Sequence, residues 1–505
     1  MAVVTPRNIS QLSDYPTPRT AEEQTLCLDE STGLFYWSGG MPTTAEMDAA
    51  NVGDVLTLQA GKRKFLPTTP TGGSTFPLDG EYSNPVNDYS CAGVYTEHTL
   101  VVEATAGNTY IDLTSTPTDY VSGNGIVIPG AGVAGVDLKT SVLSRAGNRL
   151  NLNTDIKTTV ASGATVYHDD TVGLQNWLDD GNLFTGVMGA NDFIVTDKLD
   201  FTKAGTAIQG IQAGMGPILY PAIKAGYSGT TFNGTAKEVI SRDIRRSAIW
   251  DRSTTGNTLN IGSNDCAVMG LIVASHHATV KTSGSMIAMG IPGDIFEGGT
   301  SPTEYVSGTR IREVGIGDCY EGLRVQRGFS LRVNDFSVRN YNQAGIIQES
   351  DYAYGGFKFS HLRLTATKGT IASNKADASC GPAVKITGSD LNQWFQIDTW
   401  RCQDVFSFQP TLDHINKQLI WGFGIDNHGG TAFNFGTSGA NVVQGCRISG
   451  GTVNTSASVR VYNFGSKSQS NYIGNYSHGP AGPSSSNIDV GTSNVIDTAS
   501  IVKLI

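Results

Sequence analysis

Glu321-Gly-Leu-Arg-Val-Gln326 and Ala344-Gly-Ile-Ile-Gln-Glu349 each set a small residue ahead of a short alternating apolar strand. The pattern returns in Pro382-Ala-Val-Lys-Ile-Thr387, Asp404-Val-Phe-Ser-Phe-Gln409, Thr431-Ala-Phe-Asn-Phe-Gly436 and Ala457-Ser-Val-Arg-Val-Tyr462. Aligned on Leu323, Ile346, Val384, Phe406, Phe433 and Val459, the spacings are 23, 38, 22, 27 and 26 residues. The interval of 38 holds a polar insertion around Thr367 to Ser379. Ser285-Met-Ile-Ala-Met289 extends the series upstream, and Asn487-Ile-Asp-Val490 extends it downstream. A second strand precedes each repeat: Leu331-Arg-Val333, Phe336-Ser-Val338, Phe357-Lys-Phe-Ser-His-Leu-Arg-Leu364, Phe395-Gln-Ile397 and Trp421-Gly-Phe-Gly-Ile425. Recurrence at roughly 22–27 residues with several short strands per unit predicts a coil whose turns stack at about 4.8 Å, a solenoid. Some 330 residues at about 25 per coil predict roughly thirteen coils and a rod of about 60 Å.

The composition agrees with a solenoid. Glycine takes 61 of 505 residues, about 12% against a usual 7% or so, and charged residues are only 16%. Glycine and asparagine suit tight corners, while inward positions stack in apolar ladders. Ser, Thr, Asn and Gln then keep the outer walls wet without much charge. The formal net charge of −10, with no basic stripe, argues against nucleic-acid binding. It also leaves no polybasic element for a membrane surface. No run approaches 18 apolar residues, so no membrane insertion is expected. The opening Met1-Ala-Val-Val-Thr-Pro-Arg-Asn8 does not read as a secretory signal. The cysteines at 27, 91, 266, 319, 380, 402 and 446 form no Cys-x-x-Cys pair and read as buried reduced thiols. No metal site and no cofactor are expected.

Upstream of the coils, Asp29-Glu-Ser-Thr-Gly-Leu-Phe-Tyr-Trp-Ser-Gly-Gly40 predicts a turn and an aromatic strand, and Thr43–Ala50 one or two helical turns. Thr68–Thr75 reads as a linker, and residues 76–165 as short strands between turns. Gly130-Ala-Gly-Val-Ala-Gly135 matches a dinucleotide-type glycine spacing but lacks the helix that would follow it. The adjacent His276 and His277 point to opposite faces of a strand and cannot chelate together. The clearest helix is His168-Asp-Asp-Thr-Val-Gly-Leu-Gln-Asn-Trp-Leu-Asp-Asp-Gly181. Aspartates and a threonine cap its start, Leu174, Trp177 and Leu178 form its apolar stripe, and Gly181 closes it. One helix followed only by strands covers the open edge of the first coil.

Asp169-Asp-Thr-Val-Gly-Leu-Gln175, followed by Asn191-Asp-Phe-Ile-Val-Thr-Asp-Lys-Leu-Asp200 and the coils, resembles the start of a known fold. It is the pectate-lyase-like right-handed parallel β-helix of bacteriophage tailspikes and capsule depolymerases. The usual Gly-Asp-Gly before the aspartates is replaced here by Thr165-Val-Tyr-His168. The resemblance implies an all-β chain. Residues 1–70 would attach to the virion tail or baseplate, 71–165 would form a β-rich neck, and the helix-capped solenoid would span 166–505. It also implies a homotrimer, assembled in the host cytoplasm and carried on the virion tail. Its substrate would be a bacterial surface polysaccharide, capsule or O-antigen, cleaved by endoglycosidic hydrolysis. The alternatives are a binding-only receptor spike, a structural tail fibre and a polysaccharide lyase.

Hydrolysis of a glycosidic bond needs two carboxyl groups about 5–9.5 Å apart, which outward residues on adjacent coils supply. The candidates are Asp398 and Asp426, aligned through Ile397 and Ile425, together with Glu349 and Glu321 beside the repeated strand. Trp400, Tyr352 and Tyr354 are candidate sugar platforms, and Arg339 and Arg363 candidate partners for an acidic glycan. Trp421 falls in an apparent inward column and is expected in the core. No Gly-x-Ser-x-Gly elbow or phosphate-binding lysine loop supports an esterase or NTPase.

Overall fold

The computed structural model describes the strands 7–9, 25–29, 34–38, 55–58 and 62–65. It then describes residues 84–503 except 181–184, 211–230, 233, 234, 237–246, 277, 278, 280, 297–304, 351–354, 367–379, 427, 437–440, 455–459, 479–487, 490 and 498–501. The helical turns expected at 43–50, the linker at 68–75, Gly181, His277 and the insertion at 367–379 lie outside the described residues.

The inward apolar columns wind into a right-handed parallel β-helix. Ile287 pairs with Leu323, Leu323 with Ile346, Ile346 with Val384, Val384 with Phe406 and Phe406 with Phe433, every step parallel. This is the expected column as far as Phe433. Its next member is Tyr462 rather than Val459, because Arg460 pairs with Thr431. Val459 and Val461 fit one alternation and Tyr462 and Phe464 the other, so the pattern leaves the register of this one coil open. Aromatic rings stack up the core. Phe359 lies flat on Trp394 at 4.0 Å, Phe408 on Phe435 at 4.5 Å and Phe406 on Phe433 at 5.7 Å. Each such pair adds about 0.5–1.5 kcal/mol beyond its burial.

Left-handed residues recur in register at the corners, and two of these columns are long. One runs Gly205, Asp265, Gly308, Ser330, Gly356, Leu391, Lys417, Gly445, Ser470 and Ser493. The other runs Gly270, Glu313, Asp335, His361, Gln396, Gly422, Gly450 and Asn475. The corners are therefore not a glycine preserve. The non-glycine residues bear about 1–2 kcal/mol of left-handed strain each, offset by ladder hydrogen bonds on both sides. Among the described residues ten rungs mark the first corner, against about thirteen coils expected from the sequence. The deficit arises early, where Gly205 to Asp265 takes 60 residues and Asp265 to Gly308 takes 43. Nine intervals at about 4.8 Å make about 43 Å of rod.

The core is not wholly apolar. Beside the first corner, Asn392 donates to Gln348 Oε1 and Ser389 Oγ at 2.6 Å, and the indole of Trp394 donates to Gln418 Oε1 at 3.1 Å. In the early coils, Lys281 and Asp251 form an ion pair with both side chains fully buried. The hydroxyls of Thr258 and Ser253 also donate to Asp251. All six described cysteines are buried and unpaired with one another.

The capping helix spans Thr171–Leu178. Leu174, Trp177 and Leu178 seal the end of the core, and Trp177 lies against Gly186, where an added Cβ would sit 2.0 Å from the indole. Asp169 accepts from the amide and hydroxyl of Thr171. The Asp170 carboxylate turns instead to the amides of Ala92 and Ile194, tying the preceding region to the first coil. That region is a six-stranded antiparallel sheet, including Glu97–Thr99, Gly125–Ile128 and Thr165–His168, around its own core of Leu100, Ile111, Tyr120, Ile126 and Leu150. The glycines of 130–135 form one 3-10 turn at Val133–Gly135 that leads into the strand Leu138–Ala146, with no α-helix after it. Among the first residues, a separate five-stranded sheet includes Leu34–Ser38, the expected aromatic strand.

His428 joins two coils, its Nε2 lying 3.0 Å from the Arg460 carbonyl oxygen. Burial pushes its imidazole below the ordinary value, against the opposing pull of that carbonyl and of Asp404. A histidine depressed in the folded state adds stability that is full above its unfolded value, near 6.5. That stability is lost as the pH falls from there through the folded value. The denaturation midpoint is thus expected to fall between pH 7.5 and 5.5, with a smaller drop in His428→Asn. Equal drops in the two proteins would contradict this assignment.

Candidate active site

The strands Lys358–Thr365, Gln393–Trp400 and Leu419–Asp426 follow one another on a wall of the helix, each bent by a left-handed residue in its middle. Beyond that bend, inward and outward positions alternate regularly. Ile397 is buried, Asp398 exposed, Thr399 buried and Trp400 exposed. Register then builds two outward columns. One runs Ser337, Arg363, Asp398, Gly424 and Thr452, and the other Arg339, Thr365, Trp400, Asp426 and Asn454. Together these columns, with Thr399 and Ile425 and without Ser337, line a groove of about 500 Å³. That size lies within the usual range of ligand clefts.

Five residues named from the sequence meet here: Asp398, Asp426, Trp400, Arg339 and Arg363. The relation between the two aspartates differs from the expected one. Ile397 pairs with Phe423, Asp398 with Gly424 and Trp400 with Asp426, so the acids sit diagonally rather than side by side. One rung across and two residues along put their Cα atoms about 8 Å apart. Glycine at 424 gives the Asp398 carboxylate room, since a Cβ there would lie 2.7 Å from Oδ1. Asp426 accepts from Asn454 Nδ2 at 3.1 Å on the next rung. Trp400 is 38% exposed, and the Arg401 guanidinium lies 4.2 Å from its ring centroid. An outward glycine between two acids was the sequence signal for Gly424. Thr365, Thr452 and Asn454 become visible only once the columns are in register.

The other acids stand elsewhere. Glu321 is 2% exposed and forms a two-pronged pair with Arg324 at 2.5 and 2.8 Å, while also accepting from Ser285 at 2.6 Å. Glu349 takes the remaining arm of Arg324 at 2.6 Å and lies 4.0 Å from Lys385. Consecutive coils do bring these two glutamates together, but around a cation and away from the groove lining. Tyr352 and Tyr354 lie outside the described residues. Trp421 is half exposed and not in the core. The left-handed Gly422 resets the alternation, so Ile420 and Phe423, three apart, both point inward. His276 is buried and stacks on Tyr95 at 4.7 Å.

Comparison with known proteins adds solved structures only, since no family model and no curated protein matches this chain. The tailspike protein gp49 of Pseudomonas phage LKA1 is 10% identical, with 80% of this chain and 61% of that one covered and a TM-score of 0.27. Tailspike protein 2 of the Escherichia coli O157:H7 bacteriophage CAB120 is 13% identical, with 93% and 60% covered and a TM-score of 0.29. The catalytic domain of a GH87 α-1,3-glucanase, in complex with nigerose, is 10% identical, with 81% and 89% covered and a TM-score of 0.28. The chain spans about three fifths of the length of the two tailspikes.

Proposed function

We propose that this chain is a phage tail spike that binds a bacterial surface polysaccharide and hydrolyses it within the chain. The observation that carries this reading is the groove, where two outward carboxylates, an exposed tryptophan and two arginines converge on a rigid wall. One aspartate protonates the departing glycosidic oxygen while the other activates water. The Cα atoms of the two acids lie about 8 Å apart, and carboxyl groups about that far apart leave space for the water and invert the released anomer. Arg339 and Arg363, on the rungs before Asp398, suit a negatively charged repeat unit. Residues 1–70 attach the spike to the tail, and three copies assemble in the host cytoplasm.

A lyase needs a group that abstracts a proton from a uronate. In this groove the basic side chains available for that step are Arg339 and Arg363. The test is incubation with purified capsule or O-antigen, following reducing ends and absorbance at 235 nm. New reducing ends without an absorbance gain are the expected result. Both signals together mean a lyase, and neither means a binding or structural spike; each of those outcomes overturns hydrolysis. Trp400→Ala is expected to raise KM by roughly five- to tenfold with little change in kcat, the value of one stacked ring. An unchanged KM in steady-state kinetics would remove Trp400 from the substrate path.

A further inference from the structure

His98, Asp119 and His168 converge in the antiparallel sheet ahead of the capping helix, well separated from the groove in sequence and in fold. His98 lies within the strand Glu97–Thr99, and His168 ends the neighbouring strand Thr165–His168. Asp119 comes from the connection between the strands Tyr110–Asp112 and Gly125–Ile128. Both imidazoles turn the same atom to the same carboxylate. His98 Nε2 lies 2.9 Å from each Asp119 oxygen, and His168 Nε2 lies 3.0 Å from Oδ2. Tyr120 stacks on His168 at 3.8 Å and meets His98 at 5.4 Å, which fixes both ring planes. The histidines are 7% and 0% exposed, whereas the Asp119 side chain keeps 16% of its surface, the route by which solvent reaches the cluster.

We propose that His98, Asp119 and His168 hold a divalent transition-metal ion, zinc foremost, through the two Nε2 atoms and a carboxylate oxygen. Two imidazoles and one carboxylate are a borderline donor set that suits zinc, cobalt or nickel. Calcium and magnesium would need six or more oxygens or a shell of retained waters. Bonds of about 2.0–2.2 Å place tetrahedral ligand atoms about 3.3 Å apart. The present 2.9–3.0 Å separations therefore open by a few tenths of an ångström to admit the ion. A water on the Asp119 side completes four-coordination.

The ion pins three segments just ahead of Asp169, where the chain enters the capping helix, and so stiffens the junction between sheet and rod.

The test uses the full chain, stripped with a chelator and dialysed. Zinc titrated by calorimetry is expected to bind once per chain, and cobalt to give the visible bands of a tetrahedral site. Zinc should also raise the thermal midpoint, reversibly with chelator. Asp119→Asn keeps shape at a partly exposed position and is expected to weaken zinc binding by about tenfold or more. His98→Asn should abolish the cobalt bands, and if that variant fails to fold, Asp119→Asn still decides the matter. Absence of saturable zinc binding to the stripped wild-type chain overturns the proposal. Undiminished binding in Asp119→Asn overturns it too, and the trio is then a hydrogen-bonded histidine pair.

Discussion

Asp398→Asn and Asp426→Asn are each expected to lower kcat for polysaccharide cleavage by about 10²–10⁴-fold, with KM nearly unchanged. Both side chains stand on the outer wall of the helix, so the thermal midpoint should stay close to that of the wild type. Acid and base act in one transition state, so the double variant should lose little more than the weaker single one. Glu321→Gln and Glu349→Gln supply the contrast. They break the Arg324 cluster, so they are expected to reduce stability and leave kcat in place. Full cleavage by either aspartate variant, measured as reducing ends per enzyme per second, would remove that residue from catalysis.

The second large effect concerns folding. Lys281→Met and Asp251→Leu, made singly, are each expected to cost about 3–5 kcal/mol, because each strands an uncompensated charge in the early core. Lys281 and Asp251 have no exposed side-chain surface with which to recover hydration. Making both changes together should recover most of the loss, since a buried ion pair and a well-packed apolar pair of similar volume are close in free energy. Denaturant unfolding of the four proteins forms a double-mutant cycle that reads the coupling directly. Additive losses, or single losses under about 1 kcal/mol, would mean that water or another group already compensates the charges.

The inward column from Ile287 to Phe433 was legible in the sequence because every coil asks the same of it, an apolar side chain at a fixed place. The length of the rod was not. The early intervals of 60 and 43 residues exceed the spacing of about 25 read from the later coils, and no alternation reveals that. Trp421 was misplaced for a local reason, since counting by twos fails across a left-handed residue, and Gly422 is one. The alignment of Asp398 with Asp426 was off by two residues, since Ile397 pairs with Phe423 and not with Ile425, which makes the acids diagonal rather than side by side. Both acids nevertheless reach one groove, because a shift of two keeps a residue on its face. Glu321 and Glu349 show the limit of coil spacing as evidence. It brought them together correctly and could not show that Arg324 holds both. His98, Asp119 and His168 lie 21 and 49 residues apart on separate segments, so only the folded sheet brings them into one place.

The most direct test of the groove is a crystal structure of Asp398→Asn with an oligosaccharide of the cleaved polysaccharide bound. The expected result is a sugar ring over Trp400, a glycosidic oxygen between residues 398 and 426, and an acidic substituent within reach of Arg339 or Arg363. An oligosaccharide seated elsewhere on the rod, such as beside Arg324 and its two glutamates, with nothing in the groove, would contradict it.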